Sequence, residues 1–196
     1  MLIDLHCHTR PLSACSALTI DVLIEAALAM GLDGVCLTEH DRAWDARELE
    51  QVRAISPLSV FSAVELTTDL GHVLAFGLPG PDCFSPVARD VFEAAISSGA
   101  LLYLAHPARD GLLKVTRETV EYFASVESQN GSDSKLQNLA ASGLARGFRL
   151  PGVAGSDAHT IDEVGRAATR FNTPIRSDRE LLDALRSGAY EAVSLL

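Results

Sequence analysis

Each of the six histidines of this chain borders a short apolar run. His6 and His8 follow Met1-Leu2-Ile3-Asp4-Leu5, and His40 follows the run that ends at Thr38. His72 opens Gly71 to Gly77, His106 closes Leu101 to Ala105, and His159 closes Gly155-Ser156-Asp157-Ala158. Short apolar runs of this kind read as buried strands. A fold that puts an imidazole at so many strand ends must bring those ends together, because a buried imidazole needs partners. Barrels and open α/β sheets do this at the carboxyl ends of their strands. The expectation is a multi-metal hydrolytic site.

The remaining pattern alternates strands with helices. Strands are expected at about 2–7, 34–38, 60–66, 71–77, 101–105, 124–127 and 152–155, with a tight turn at Thr68-Asp69-Leu70-Gly71. Helices are expected at about 20–30 (Thr19 as N-cap, Gly31 as stop), 43–55, 86–98, 116–123 (Thr116 as cap) and 135–145. Ser177 with Glu180 reads as a capping box opening a last helix that stops before Gly188. This alternation implies parallel strands with helices outside.

Spacing then picks out chemistry. In a strand, residues two apart point the same way, so His6 and His8 can grip one ion while Cys7 points away. Asp157 and His159 repeat that spacing, and a carboxylate beside an imidazole suits manganese, zinc or iron. Glu65 ends the run Val60 to Val64, where a charge is costly unless paired or metal-bound; its two oxygens could bridge two ions. His40 and His106 are weak signals alone, and Glu39 could orient the His40 ring. Arg10, Arg42 and Arg109 follow these motifs and could clamp a phosphate, Arg109 being preferred; Arg10 and Arg42 read better as surface charges. Glu127 and Asn130 could line the pocket or serve a turn, and Trp44 could shape the entrance or pack.

The net charge of −10 argues against non-specific nucleic-acid binding, which needs a basic surface. It leaves an anionic substrate open, since bound cations invert the local potential. No apolar stretch reaches membrane-spanning length, and the N-terminal run lacks the basic flank of a signal peptide. Cys7, Cys15, Cys36 and Cys83 show no CxxC spacing and no disulfide framework, which fits a cytoplasmic location. At 196 residues the chain is expected to be one domain over 1–196.

Taken in order, His-x-His, Thr-Glu-His-Asp, an isolated Glu, Gly-His-Val-Leu, Ala-His-Pro and Gly-Ser-Asp-Ala-His resemble the polymerase and histidinol phosphatase (PHP) domain, from Leu2 to about Thr160. The resemblance implies a distorted (β/α)7 barrel with two or three divalent ions (Mn, Zn or Fe) at the C-terminal strand ends. It would give one ion His6, His8, Glu65 and Asp157, another Glu65, His72 and His106, and a third His40 and His159. Many relatives carry an acid, or sometimes a histidine, where this chain has Ser13 and Ala14, and an Asp where it has Glu39. The Ser13 and Ala14 departure touches the third ion, while Glu39 is a conservative change.

The resulting expectation is a metal-dependent phosphoesterase acting on a small phosphorylated metabolite or nucleotide. Metal-activated water would attack, with Glu65, Asp157 and His159 carrying the catalysis. Two rivals stand beside it: a hydrolase of C–N or C–O bonds, and a metal-binding module without activity. The loops Pro79–Pro86 and Arg109–Val115 are expected to select the substrate.

Overall fold

Buried apolar segments form the strands, and capped amphipathic segments form the helices between them. The computed structural model describes residues 1–109 and 115–195. Its strands are β1 (Leu2–Cys7), β2 (Gly34–His40), β3 (Ser59–Thr68), β4 (Gly71–Phe76), β5 (Leu101–Leu104), β6 (Ser125–Asn130), β7 (Gly152–Gly155), β8 (Ala167–Phe171) and β9 (Tyr190–Ser194). Its helices are α1 (Ile20–Ala29), α2 (Ala46–Ile55), α3 (Ala88–Ser98), α4 (Lys135–Phe148) and α5 (Asp178–Ser187).

Local chemistry sets the ends. Asp45 accepts bonds from the Arg47 and Glu48 amides, so α2 starts at Ala46 rather than near Ala43. Ser177 accepts from the Glu180 amide, but Glu180 turns its carboxylate to the Arg176 amide, so the expected capping box is half formed. The expected helix over 116–123 is absent. Thr116 does receive the Glu118 and Thr119 amides, but only a 3-10 turn follows at Val120–Tyr122. The β-branched Thr119 and Val120 favour a helix less, and Phe123 packs into the apolar cluster with α3 and α4 residues.

The nine strands form one sheet in the order β7-β6-β5-β4-β3-β2-β1-β8-β9. β1, β2 and β3 run parallel, as do β5, β6 and β7. β4 is antiparallel to both β3 and β5, and β8 is antiparallel to β1 and β9. The parallel arrangement implied by the alternation therefore fails at β4 and β8, which run against the rest. The Thr68–Gly71 turn makes a hairpin, and a hairpin must reverse the chain. That reversal has a consequence for the site: β4 starts at the end of the barrel where its neighbours finish, so His72 joins the other histidines.

The sheet closes on itself into a distorted barrel. The Asp157 amide donates to the His6 carbonyl at 2.7 Å, and the His8 amide donates to the Ala158 carbonyl at 3.1 Å. Lower down, Thr169 on β8 both donates to and accepts from the Ala154 backbone, at 2.9 and 2.8 Å. Gly155 makes the seam possible, since a Cβ there would lie 2.3 Å from His6 Cβ and 2.6 Å from His6 N. Gly155→Ala is expected to cost about 2 kcal/mol or more in urea unfolding, because the obstacle is strand backbone. An unchanged midpoint would mean that the seam can open.

Inside the barrel, Ile3, Leu5, Phe61, Leu74, Phe76, Tyr103 and Val153 pack with Leu181 and Leu185 of α5. The helix closes the end away from the histidines: Leu182 meets Gly77, just past β4, and Arg186 bonds to Gly99, just before β5. Two outer apolar clusters lie beneath α1 and α2 and beneath α3 and α4. Ile3 and Leu5 point inward, so strict alternation would turn His6 and His8 outward. A bulge in β1 between Asp4 and Cys7 shifts the parity and turns both rings inward, with Cys7 packed outside. A second bulge between Glu127 and Gln129 lets both Glu127 and Asn130 project inward from β6.

Candidate metal centre

The mouth of the barrel is built around one carboxylate. Glu65 stands on β3, 1% exposed, opposite His40 in the β2–β3 register. Its Oε1 lies 2.9 Å from His72 Nδ1 and 2.9 Å from His106 Nε2. Its Oε2 lies 3.0 Å from His40 Nδ1, 3.2 Å from His8 Nε2 and 3.4 Å from His6 Nε2. Yet Oε2 makes no hydrogen bond of good geometry to any of them. A buried carboxylate oxygen ringed by nitrogens but bonded to none has the form of a cation ligand.

Asp157 completes the ring from the turn after β7, held in a left-handed conformation (φ 54°) that aims its carboxylate inward. Its Oδ1 is 3.1 Å from His8 Nε2 and 3.4 Å from His6 Nε2. His106 is likewise left-handed (φ 24°), just past β5. His159 and His40 both lie against His8, with ring centroids 4.4 and 4.3 Å from it and 5.9 Å from each other.

Three overlapping groups have donor atoms within 4.8 Å of one another: His6, His8, Glu65 and Asp157; His40, Glu65 and His72; and His8, His40 and His159. The first is the set expected for one ion. His72 and His106 meet on the same Glu65 oxygen, and His40 also reaches Glu65 rather than facing His159 alone. All donors are imidazole nitrogen or carboxylate oxygen, a set that fits divalent transition metals.

The charges are mutually dependent. Burial pushes Glu65 up, but the charge of His6 and the close approach of His106 and His40 outweigh it and hold the carboxyl well below the usual range. Burial likewise raises Asp157, and His6, His8 and Arg109 overcome it, so it stays ionised. Burial lowers His6, but Asp157, Glu127 and Glu65 leave it well above the ordinary imidazole value. Burial lowers His8, but the nearby Asp157 and Glu65 carboxylates overcome it and leave it raised, and His72 is raised chiefly by its bond to Glu65. His159 is lowered by burial and by His8.

Several residues have other partners than expected. Glu39 does not touch the His40 ring. Successive residues of β2 face opposite ways, and Glu39 instead takes the Thr9 amide at 2.9 Å, the Ser13 hydroxyl at 2.5 Å and the Trp44 indole at 2.9 Å. Ser13 ties that carboxylate to the His40 amide at 3.2 Å and sits 3.4 Å from His8 Nδ1. Arg109 is engaged by Asp133 Oδ1 (2.8 Å), Asn130 Oδ1 (2.9 Å) and Asp157 Oδ2 (2.5 Å). Arg10 and Arg42 are exposed, Arg10 reaching the Ser16 carbonyl.

Glu127 is part of β6, not of a turn, and meets His6. Its position at a strand end was the only signal of this in the sequence. Asp133 carried no signal at all. Of the two expected selectivity loops, the one ending at Pro86 is tied to the β3–β4 hairpin through Asp69. Residues 110–114 of the other lie outside the described residues.

Comparison with known proteins follows this geometry. A family model described as the PHP domain matches residues 4–121, and one described as PHP-associated matches 135–190. A two-domain Bacteroides vulgatus protein, described as containing a predicted PHP-like metal-dependent phosphoesterase, superposes with a TM-score of 0.75 at 20% identity. The match covers 99% of this chain and 64% of that protein, so the chain spans just under two thirds of its length. PsfC from Pseudomonas syringae gives 0.74 at 19% identity, covering 98% and 91%. A Bifidobacterium adolescentis protein provisionally assigned as a metal-dependent phosphoesterase gives 0.68 at 17%, covering 93% and 95%. No curated protein matches the chain.

Proposed function

Because the chain belongs to the PHP domain family, we propose that it is a phosphoesterase that hydrolyses a small phosphate ester, working as one domain over residues 1–196. The observation that carries this reading is Glu65, buried among five imidazoles with one oxygen left without a hydrogen bond. His6, His8, Glu65 and Asp157 would hold one divalent ion, and Glu65, His72 and His106 a second. His40 and His159 would hold a third, with His8 beside both. Manganese, zinc and iron all suit these donors. Bound ions supply Lewis acidity, which makes water a competent nucleophile near neutral pH and neutralises charge on the phosphoryl oxygens.

The protein's own part is positioning. Glu65 bridges the groups, and Asp157, gripped from behind by Arg109, presents Oδ1 to His6 and His8. His40, His72 and His159 are partly exposed and face the substrate side. Arg10 and Arg42, on the loops after β1 and β2, stay exposed surface charges at that side. Among the described residues, no helix is long and apolar enough to cross a membrane. We assign a cytoplasmic location on the cysteine usage, with all four thiols free.

Arg109 supports Asp157 in this scheme rather than clamping phosphate. Arg109→Met is expected to weaken metal affinity and lower kcat about tenfold or more, with KM little changed. A raised KM with intact metal content would make it a substrate clamp instead.

The reading is tested by phosphate release from a panel of phosphomonoesters and nucleotides, comparing metal-stripped protein with protein reloaded with manganese. Manganese-dependent release, lost in the folded double variant His8→Ala/Asp157→Ala, is expected. Bound metal without release from any ester would move the assignment to C–N or C–O bond hydrolysis or to a metal-binding module.

A further inference from the structure

We propose that Glu127 is the positioning residue of the centre: it fixes which nitrogen of His6 faces the ligand cluster, and it braces the peptide of His106. The inference rests on the metal-centre reading above and adds a residue outside the ligand sets.

The argument is one of hydrogen-bond capacity. Glu127 is 1% exposed, on the inward side of the β6 bulge. Its Oε2 accepts from the His106 backbone amide at 2.8 Å and from Asn130 Nδ2 at 2.9 Å. The Asn130 amide cannot flip to change this, because its Oδ1 is already taken by the Ser132 amide and Arg109. Oε2 therefore faces two donors. Oε1 lies 3.0 Å from His6 Nδ1. An ionised carboxylate only accepts, so Nδ1 must carry the proton. Nε2 is then the nitrogen left for the cluster, and it does face His8, Glu65 and Asp157 at 3.0–3.4 Å. The same carboxylate pins the amide of His106, whose left-handed backbone needs such a restraint. One side chain on β6 thus orders donors that arrive from β1 and β5.

Glutamine cannot reproduce this. Its amide nitrogen would face either His6 Nδ1–H or the paired donors of His106 and Asn130, a donor-to-donor clash in both orientations.

The test uses the full chain, zinc as a diamagnetic probe, and nitrogen-15 spectra of the histidine rings. In the native protein, His6 should show a slowly exchanging Nδ1–H, both metal-stripped and zinc-loaded. Glu127→Gln and Glu127→Ala should lose that protected proton and bind zinc about ten- to a hundredfold more weakly by calorimetry. Zinc affinity unchanged in folded variants would overturn the proposal. So would a native zinc-loaded protein in which His6 Nδ1 carries no proton, a result that needs no variant to fold. If the native protein bound no zinc yet showed the Nδ1–H that Glu127→Gln abolishes, the hydrolase reading would fall and the hold of Glu127 on His6 would stand.

Discussion

Glu65→Gln is expected to empty the centre and to lower turnover on the order of a thousandfold, with the fold intact. Glutamine has the shape of glutamate but neither its charge nor its second acceptor. The native carboxylate meets His72 and His106 through one oxygen and His40, His8 and His6 through the other. It is the one group that touches all of them. An amide –NH2 at either position would point protons at imidazole nitrogens that need to offer lone pairs. Metal content by atomic emission, turnover and circular dichroism together read the outcome. A folded Glu65→Gln protein with native metal content and native turnover would remove Glu65 from the bridging role.

The metal-stripped protein is expected to lose stability as pH rises above about 6.5. His6 and His8 are raised above the ordinary imidazole value in the fold, by Asp157, Glu127 and Glu65 against burial for His6, and by Asp157 and Glu65 against burial for His8. A raised basic group stabilises fully below its unfolded pKa, and that contribution is lost as pH climbs through the folded value. Each such group removes about 1.4 kcal/mol per pH unit across its window. Glu65 and Asp157 are shifted downward, so their contribution is lost only in acid and does not oppose the trend. The lowered His159 likewise acts below the window. Divalent ions take the place of those protons, so reloading should flatten the slope, and the gain from metal should grow with pH. Thermal midpoints of stripped and reloaded protein between pH 6.5 and about 8 check this. A stripped protein whose midpoint holds level or rises would mean that the imidazoles are neutral in the fold.

Much of the architecture was legible in the chain. β1, β2, β3 and β7 are short and apolar because both faces are buried, and that composition survives without any partner in view. The helices α1 and α4 were equally plain, although Thr19 stands at the start of α1 without a side-chain bond to it and the Ser134–Gln137 capping box of α4 was not read. β8 and β9 were not seen, since Ala167–Phe171 and Tyr190–Ser194 are five residues each and carry polar residues among the apolar ones, too brief for a clear alternation. The helix expected after Thr116 shows the opposite error: a sound cap followed by residues that do not propagate.

The donors were legible for a different reason. A buried imidazole or carboxylate is expensive, so a histidine or glutamate at the end of an apolar run signals its purpose locally. His6, His8, Glu65, Asp157 and His159 could be picked out on that ground, while His40, His72 and His106 joined them only through the resemblance to the PHP domain. The supporting shell could not. Glu39 read as a partner for its neighbour His40, and strand alternation turned it to Thr9, Ser13 and Trp44 instead. Arg109 read as free to meet phosphate, and it is held by Asp133 and Asp157.

The sequence by itself determined which atoms could bind metal and that they lie at strand ends, because both are properties of single residues and short periods. Only the tertiary structure decided how those atoms face one another. Two one-residue bulges reverse the side-chain parity of β1 and β6, and the β3–β4 hairpin carries His72 to the common mouth. Closure of the sheet sets Glu127 against His6, 121 residues away. Those contacts depend on strand register and barrel closure, which are settled by packing of the whole sheet and leave no trace in any local window of the chain.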